Sequence, residues 1–121
     1  MAETRKILSL PQLAIAVTSL RVPVMRAHTE AVNLTLERPL AADEARAILR
    51  QAPGVEVIDD RESNTFPMPS LASGKDAVFV GRIREDLSQR GNLGIDLLIC
   101  GDQLRKGAAL NGVQIAEVLI R

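Results

Sequence analysis

The segment AVNLTLE, residues 31–37, alternates apolar and polar side chains from Val32 onward. Val32, Leu34 and Leu36 fall on one face, and asparagine, threonine and glutamate fall on the other. A period of two residues with one apolar face is typical of a strand buried on one side only. This segment therefore predicts a sheet that packs one face against a core.

Strands and helices interleave on both sides of this segment. The last helix has apolar residues beyond one stripe, which predicts that more than one surface covers it. The fold class expected is α+β, with a mixed or mainly antiparallel sheet and helices packed on one face. We expect the other face to bind a partner. The predicted order is helix Ala2–Leu10, strand Leu13–Val24, strand Ala31–Glu37, helix Ala42–Ala52, strand Val55–Ile58, a long loop Asp59–Asp76, strands Ala77–Arg84 and Ile95–Cys100, and helix Lys106–Ile120.

Composition excludes several classes of protein. The 121 residues include 15 Lys+Arg and 15 Asp+Glu, so the chain lacks the excess of basic residues that nucleic-acid and membrane-surface binders need. With 46% hydrophobic and 25% charged residues it is not a disordered composition. One cysteine and one histidine exclude an intramolecular disulfide and any multi-cysteine or multi-histidine metal site. The N-terminus lacks the apolar core of a signal peptide, so a reducing cytoplasm is the expected location.

The run RVPVMRAH, residues 21–28, holds the clearest candidate for chemistry. Arginine guanidinium groups bind carboxylate or phosphate through two parallel hydrogen bonds, and an adjacent imidazole can move a proton. An anion held by Arg21 beside a general acid/base at His28, with Arg26 between them, would form a coherent site. Spacing alone gives more weight to the alternative, in which all three are ordinary surface residues.

Two further features lie at the end of the last predicted strand. Cys100 ends the apolar run IDLLIC, which predicts an inert core residue. Asp102 and Gln103 follow at a strand end, where ligands commonly bind, although helix capping by Asp102 explains the aspartate equally well. Basic residues could also form a rim that attracts phosphate, with solvated surface as the alternative; these are Lys75, Arg82, Arg84, Arg105 and Lys106.

Five longer runs occur in order and together resemble the C-terminal part of bacterial aspartate-semialdehyde dehydrogenases. The resemblance extends from Glu3 to the last residue. It implies a catalytic and dimerisation domain like the second domain of glyceraldehyde-3-phosphate dehydrogenase. Enzymes of this family reduce L-aspartyl-4-phosphate to L-aspartate 4-semialdehyde with NADPH and release phosphate, on the route to lysine, methionine, threonine and diaminopimelate. The runs are RVPVMRAHTEAVNLTLE, EARAIL, APGVEVIDD, FPMPSLASGKDAVFVGRIRED and GDQLRKGAALNGVQIAEVLI.

The resemblance also implies roles for three residues. Arg21 matches the arginine that holds the substrate carboxylate, His28 matches the catalytic acid/base, and Gln103 matches a residue that contacts NADP. The family's nucleophilic cysteine has no counterpart here, since Cys100 stands elsewhere, and the NADP-binding Rossmann domain is absent as well.

Residues 1–121 are therefore expected to be the C-terminal portion of such an enzyme, a homodimer through its sheet, inactive alone and without a metal. A non-catalytic α+β dimerisation module, or one half of a split enzyme, are the alternatives.

Overall fold

A four-stranded sheet organises the computed structural model, which describes residues 2–121. The strands are β1 (His28–Thr35), β2 (Val55–Val57), β3 (Val78–Glu85) and β4 (Gly94–Gly101), in the spatial order β1-β4-β3-β2. The pairs β1–β4 and β3–β4 are antiparallel, and β2–β3 is parallel. The helices are α1 (Ala2–Ile7), α2 (Ala42–Gln51), α3 (Pro69–Ala72) and α4 (Leu110–Leu119), with a 3₁₀ turn at Arg90–Asn92 and a π-type turn at Arg105–Ala109. The predicted α+β class with a mixed, mainly antiparallel sheet is confirmed.

The main core lies between α2 and one face of the sheet. Acidic residues in the first turn of α2 suit the positive end of the helix dipole, and an apolar stripe turns toward the strands. Ala45 from this stripe packs in one buried cluster with Val80, Ile83, Ile95 and Leu97 of β3 and β4. Alternate residues of β4 therefore point at α2, whereas Val80 and Ile83 of β3 are three residues apart because the register of β3 shifts between them.

A smaller cluster lies on the opposite face, near one end of the sheet. Phe79 of β3 and Cys100 of β4 are direct neighbours in the register, so their side chains share a face. They pack in one buried cluster with Ala27 and with Ala72 of α3. Farther along this face α3, of four residues, does not extend, and among the described residues Ala31 and Asn33 are exposed and Leu98 is half-buried.

The middle of β3 contains an irregularity that tightens the packing. The register with β4 shifts between Gly81 and Arg84, and Arg82 adopts a left-handed conformation with a φ of 50°. The Asp59 carboxylate accepts hydrogen bonds from the Arg82 N–H (2.7 Å) and the Ile83 N–H (3.3 Å), and it pairs with Arg46 Nε at 2.7 Å. One buried carboxylate thus ties the bulge in β3 to α2.

The predicted strand Leu13–Val24 is wrong. This segment has no regular secondary structure, and Val17, Leu20 and Val22 are exposed. β-Branched residues favour strands only where a neighbouring strand and a packed face receive them, and this segment pairs with no strand of the sheet. The first strand begins at His28 instead, three residues before the predicted Ala31.

Three smaller expectations also change. The segment Asp59–Asp76 is not all loop, since it contains α3, which starts at Pro69 where proline suits a first helical position. The last helix begins at Leu110, not Lys106, because Gly107 adopts a φ of 100°. More than one surface was expected to cover this helix, but its residue Leu119 is 79% exposed. No helix within residues 2–121 has the length and apolar character needed to cross a membrane.

Candidate functional site

The antiparallel pairing of β1 with β4 brings together the two candidate segments of the sequence. His28 is the first residue of β1 and pairs with Gly101, the last residue of β4. The residues before His28 therefore lie beside the residues that follow Gly101. His28 is exposed at this end of the sheet.

Ala27, directly before His28, adopts an unusual backbone conformation. Its φ is 76°, in the left-handed region, and the residue is only 3% exposed. Such a conformation costs a residue with a Cβ about 1 kcal/mol or more. The Ala27 N–H donates to the Gln103 side-chain oxygen at 2.9 Å, which satisfies the buried donor and stabilises the turn. Gln103 thus contacts the backbone beside His28.

Arg26 and Asp102 form a second link between the same segments. Arg26 Nη2 lies 2.5 Å from Asp102 Oδ2, and the Asp102 side chain is fully buried. The carboxylate also accepts from the Gly74 N–H at 2.6 Å and the Leu104 N–H at 3.0 Å. The hydrogen bond from Arg26, followed by these backbone donors, lowers the pKa of Asp102 below its ordinary value although burial opposes the shift. Asp102 is therefore charged at neutral pH.

Arg21 stands apart from these contacts. It lies in the irregular segment before β1 and is exposed. Within residues 2–121 its guanidinium forms no ion pair and donates no hydrogen bond, so it is open to an anion. The sequence predicted one cluster of Arg21, Arg26 and His28, but in the structure Arg26 pairs with Asp102.

Cys100 has the character expected of a core residue. Its side chain is fully buried, and Sγ lies 3.2 Å from Thr29 Oγ1. Burial raises the pKa of the Cys100 thiol, with the Thr29 hydrogen bond acting in the opposite direction. A thiol that is both inaccessible and protonated is a poor nucleophile.

Four of the five basic residues proposed as a phosphate rim contact other side chains of the chain. Arg84 pairs with Asp96 at 3.0 Å, Arg105 pairs with Asp76, and Lys106 donates to Gln114 at 2.7 Å. Arg82 lies over the ring of Phe66, 5.3 Å from its centroid. These four cations have partners within the chain, which favours the solvated-surface interpretation.

The contacts of Asp102 were missed from the sequence. Helix capping was the alternative weighed for this residue, and its backbone carbonyl does accept from the Arg105 and Lys106 N–H groups. The burial of its carboxylate and its pairing with Arg26 were not foreseen. The only sequence signal was a charged residue directly after the buried strand IDLLICG, where burial of charge requires a partner.

The chain is therefore an α+β domain with a mixed sheet. An exposed histidine lies at a strand end of this sheet, where an adjoining turn supports it, and the domain presents polar groups at this edge. The chain belongs to the semialdehyde dehydrogenase dimerisation-domain family, whose model, described as "Semialdehyde dehydrogenase, dimerisation domain", matches residues 1–106.

Curated relatives and solved structures agree with this family. The chain is 52% identical over 118 residues to an aspartate-semialdehyde dehydrogenase of Synechocystis and 44% identical over 119 residues to one of Aquifex aeolicus. Each match covers 98% of this chain and 34% of the relative, so the chain spans about a third of the length of these relatives. The structure of aspartate semialdehyde dehydrogenase II from Vibrio cholerae, complexed with ASA, is 42% identical with a TM-score of 0.90, over 98% of this chain and 34% of that one.

Proposed function

We propose that this chain is the C-terminal catalytic and dimerisation portion of a cytoplasmic aspartate-semialdehyde dehydrogenase. The complete enzyme reduces L-aspartyl-4-phosphate to L-aspartate 4-semialdehyde with NADPH and releases phosphate. The observation that carries the proposal is the 52% identity to the Synechocystis enzyme across 98% of the chain. The exposed His28, joined through Ala27 to Gln103, is consistent with it.

His28 is the proposed proton donor and acceptor. Histidine is the side chain that most often serves as a general acid or base in enzymes, and His28 is exposed at the end of β1. The carboxylate nearest in the adjoining turn, Asp102, is occupied by Arg26 and two backbone donors. His28 is therefore the group in these two segments suited to moving a proton.

Arg21 is the proposed anchor for the substrate carboxylate. Its guanidinium has no acidic partner within residues 2–121, and a planar fork of donors matches a carboxylate with two parallel hydrogen bonds. Lysine offers one point charge on a flexible stem and cannot reproduce that geometry. Arg21→Lys should therefore weaken substrate binding more than it slows the chemistry.

Gln103 fits a role toward NADP. Its side-chain oxygen accepts from the Ala27 N–H, and its amide nitrogen donates no hydrogen bond within the described part of the chain. That nitrogen can donate to a carbonyl acceptor such as the nicotinamide carboxamide. NADPH, when bound, supplies the hydride, and most of its binding site belongs to a domain outside residues 1–121.

The covalent nucleophile is also proposed to lie outside this chain. Cys100 is buried, and burial raises the pKa of its thiol, so it cannot replace a catalytic cysteine. Because removing the nucleophile abolishes most of the rate enhancement of such a site, residues 1–121 alone should show no NADP-dependent turnover.

Dimerisation is proposed to use the sheet face opposite α2. Leu98 and Ala31 are register neighbours on this face, and Asn33 links Asp86 and Asp96 beside them, at 2.8 Å each. A second copy of the chain would cover it.

Leu98→Asp should convert the dimer to monomer in sedimentation velocity, whereas Leu87→Asp, at a fully solvated loop position, should not. A Leu98→Asp protein that stays dimeric would contradict this assignment.

A chimera tests the catalytic proposal. The 118 matching residues of the Synechocystis enzyme are replaced by this chain, and phosphate-dependent oxidation of aspartate semialdehyde is followed through NADPH absorbance. His28→Asn should lower kcat by about 100-fold or more, the contribution of a positioned acid/base. Arg21→Lys should raise KM for aspartate semialdehyde, and Gln103→Ala should raise KM for NADP.

The control is Arg105→Gln, which removes an exposed ion pair in the same turn and should leave kcat unchanged. A chimera that folds and dimerises but has no activity would favour the non-catalytic dimerisation module. Activity on mixing this chain with a separate N-terminal chain would favour a split enzyme. Full activity in His28→Asn would refute the role of His28.

A further inference from the structure

We propose that Arg26 and Asp102 are positioning residues for His28, and that their ion pair acts with the Gln103–Ala27 hydrogen bond to set where the imidazole is presented. The catalytic consequence rests on the proposed role of His28 as acid/base. The positioning itself does not depend on that role, and it can be measured independently of turnover.

The first support is the topology of the strand ends. His28 and Gly101 form the last pair of the β1–β4 ladder, beyond which no strand pairing holds the chain. Ends of strands fray unless other contacts hold them. Here the two residues before His28 are each tied to one of the two residues after Gly101: Arg26 to Asp102 and Ala27 to Gln103.

The second support is the backbone of Ala27. A left-handed alanine is rare, because its Cβ crowds the backbone in that conformation, and it persists only when its surroundings enforce it. The turn at Ala27 determines the direction in which the chain enters His28. The hydrogen bond from the Ala27 N–H to Gln103 and the burial of Ala27 in the cluster that contains Phe79 enforce that turn.

The third support is the burial of Asp102. A carboxylate that only capped the following turn would need the Leu104 N–H and could remain in water. Asp102 is instead fully buried, and Arg26 is the one cation that forms an ion pair with it within residues 2–121. The Gly74 N–H donates to the same oxygen as Arg26, Oδ2, and the Leu104 N–H donates to Oδ1, so the carboxylate is fixed and Arg26 pairs with it at a fixed point. Removing Arg26 leaves the buried Asp102 carboxylate without its counter-charge, so the local structure must rearrange.

The test uses the 121-residue chain, which contains a single histidine. The Cε1–Hε1 resonance of His28 is therefore the only histidine signal in a ¹³C-correlated NMR spectrum. Arg26→Gln should displace this signal, and broaden it or split it into several conformers. Arg26→Lys keeps a cation for Asp102 and should restore a single signal near the wild-type position. Arg105→Gln removes the neighbouring exposed pair with Asp76 and should leave the signal unchanged.

Kinetics in the chimera give the second measurement. Arg26→Gln should lower kcat by up to about 100-fold, the loss expected when a reacting group is misplaced by about 1 Å. KM for phosphate should change little, because Arg26 is paired with Asp102 and is not a proposed substrate ligand. Gln103→Met removes the acceptor of the Ala27 N–H at similar side-chain length, and it provides an independent variant if Arg26→Gln does not fold.

The outcomes separate the two proposals. If Arg26→Gln and Gln103→Met lower the unfolding midpoint but leave the His28 resonance and kcat at wild-type values, the contacts are merely structural and the positioning proposal is overturned. If His28→Asn keeps full activity while Arg26→Gln still displaces the His28 signal, the proposed catalytic role fails and the positioning stands. Displacement of the signal together with a fall in kcat supports both.

Discussion

Gly81 lies in β3 where the strand passes close to the backbone of Ile58. A Cβ added to Gly81 would stand 1.9 Å from the Ile58 carbonyl oxygen and 2.6 Å from Pro67 Cδ, whereas real Cβ atoms essentially never approach within 3.0 Å. Gly81→Ala therefore requires β3 and the Ile58 segment to separate by about 1 Å, since dense packing leaves no space to absorb the methyl group. This separation stretches the 2.8 Å hydrogen bond from the Ile58 N–H to the Val80 carbonyl. Overpacking costs about 1–3 kcal/mol and a lost hydrogen bond about 1 kcal/mol, so the expected destabilisation is about 2–4 kcal/mol.

Equilibrium unfolding in urea measures this loss. The chain has no Trp or Tyr, so far-UV circular dichroism is the suitable probe. With a denaturant slope of about 2 kcal/mol per molar, the midpoint should fall by about 1–2 M. Gly112→Ala is the matched control, because a Cβ there meets nothing within 4 Å and alanine favours the helix α4. If Gly81→Ala stays within about 0.5 kcal/mol of the wild-type free energy of unfolding, the range of ordinary surface changes, the steric argument is refuted.

Three further predictions follow from buried groups. Asp59→Ala should lower the free energy of unfolding by about 3 kcal/mol, because Arg46 loses its buried partner, while Asp43→Ala, at the exposed end of the same arginine, should have little effect in the same urea titration. The Cys100 thiol should react with a disulfide reagent only in urea; rapid modification of the native protein would show that its burial is wrong. Because the folded pKa of Asp102 is lowered, its stabilisation is present above the unfolded value of about 4 and is lost as the pH falls further, so Asp102→Asn should flatten the decline of stability with acid.

The strands that carry the core were predictable because their pattern is local. The alternation in AVNLTLE identified β1, and apolar runs identified β3 and β4, since a period of two can be recognised within six or seven residues. The segment Leu13–Val24 has comparable β-propensity and yet forms no strand. Propensity reports how well side chains suit a pleated, half-buried surface, and it does not supply the neighbouring strand that such a surface needs.

The candidate site was likewise predictable only in part. Arg21, His28 and Gln103 were selected from residue type and from family resemblance, without knowledge of the fold. The contacts that surround these residues in the fold were not predicted from the sequence. The grouping of Arg26 with Arg21 as an anion site followed from proximity in the chain, whereas Arg26 pairs with a carboxylate that is distant in sequence.

The sequence by itself determined the family of this chain, its α+β class and the identity of its chemically capable residues. The tertiary structure alone decided that Ala27 would contact Gln103, 76 residues away, and that Arg26 would be paired with Asp102 while Arg21 stays open. The physical reason is that the periodicity of apolar side chains can be recognised within a short stretch of consecutive residues. Contacts between distant residues depend on the register that pairs His28 with Gly101, and that register follows from packing the whole sheet.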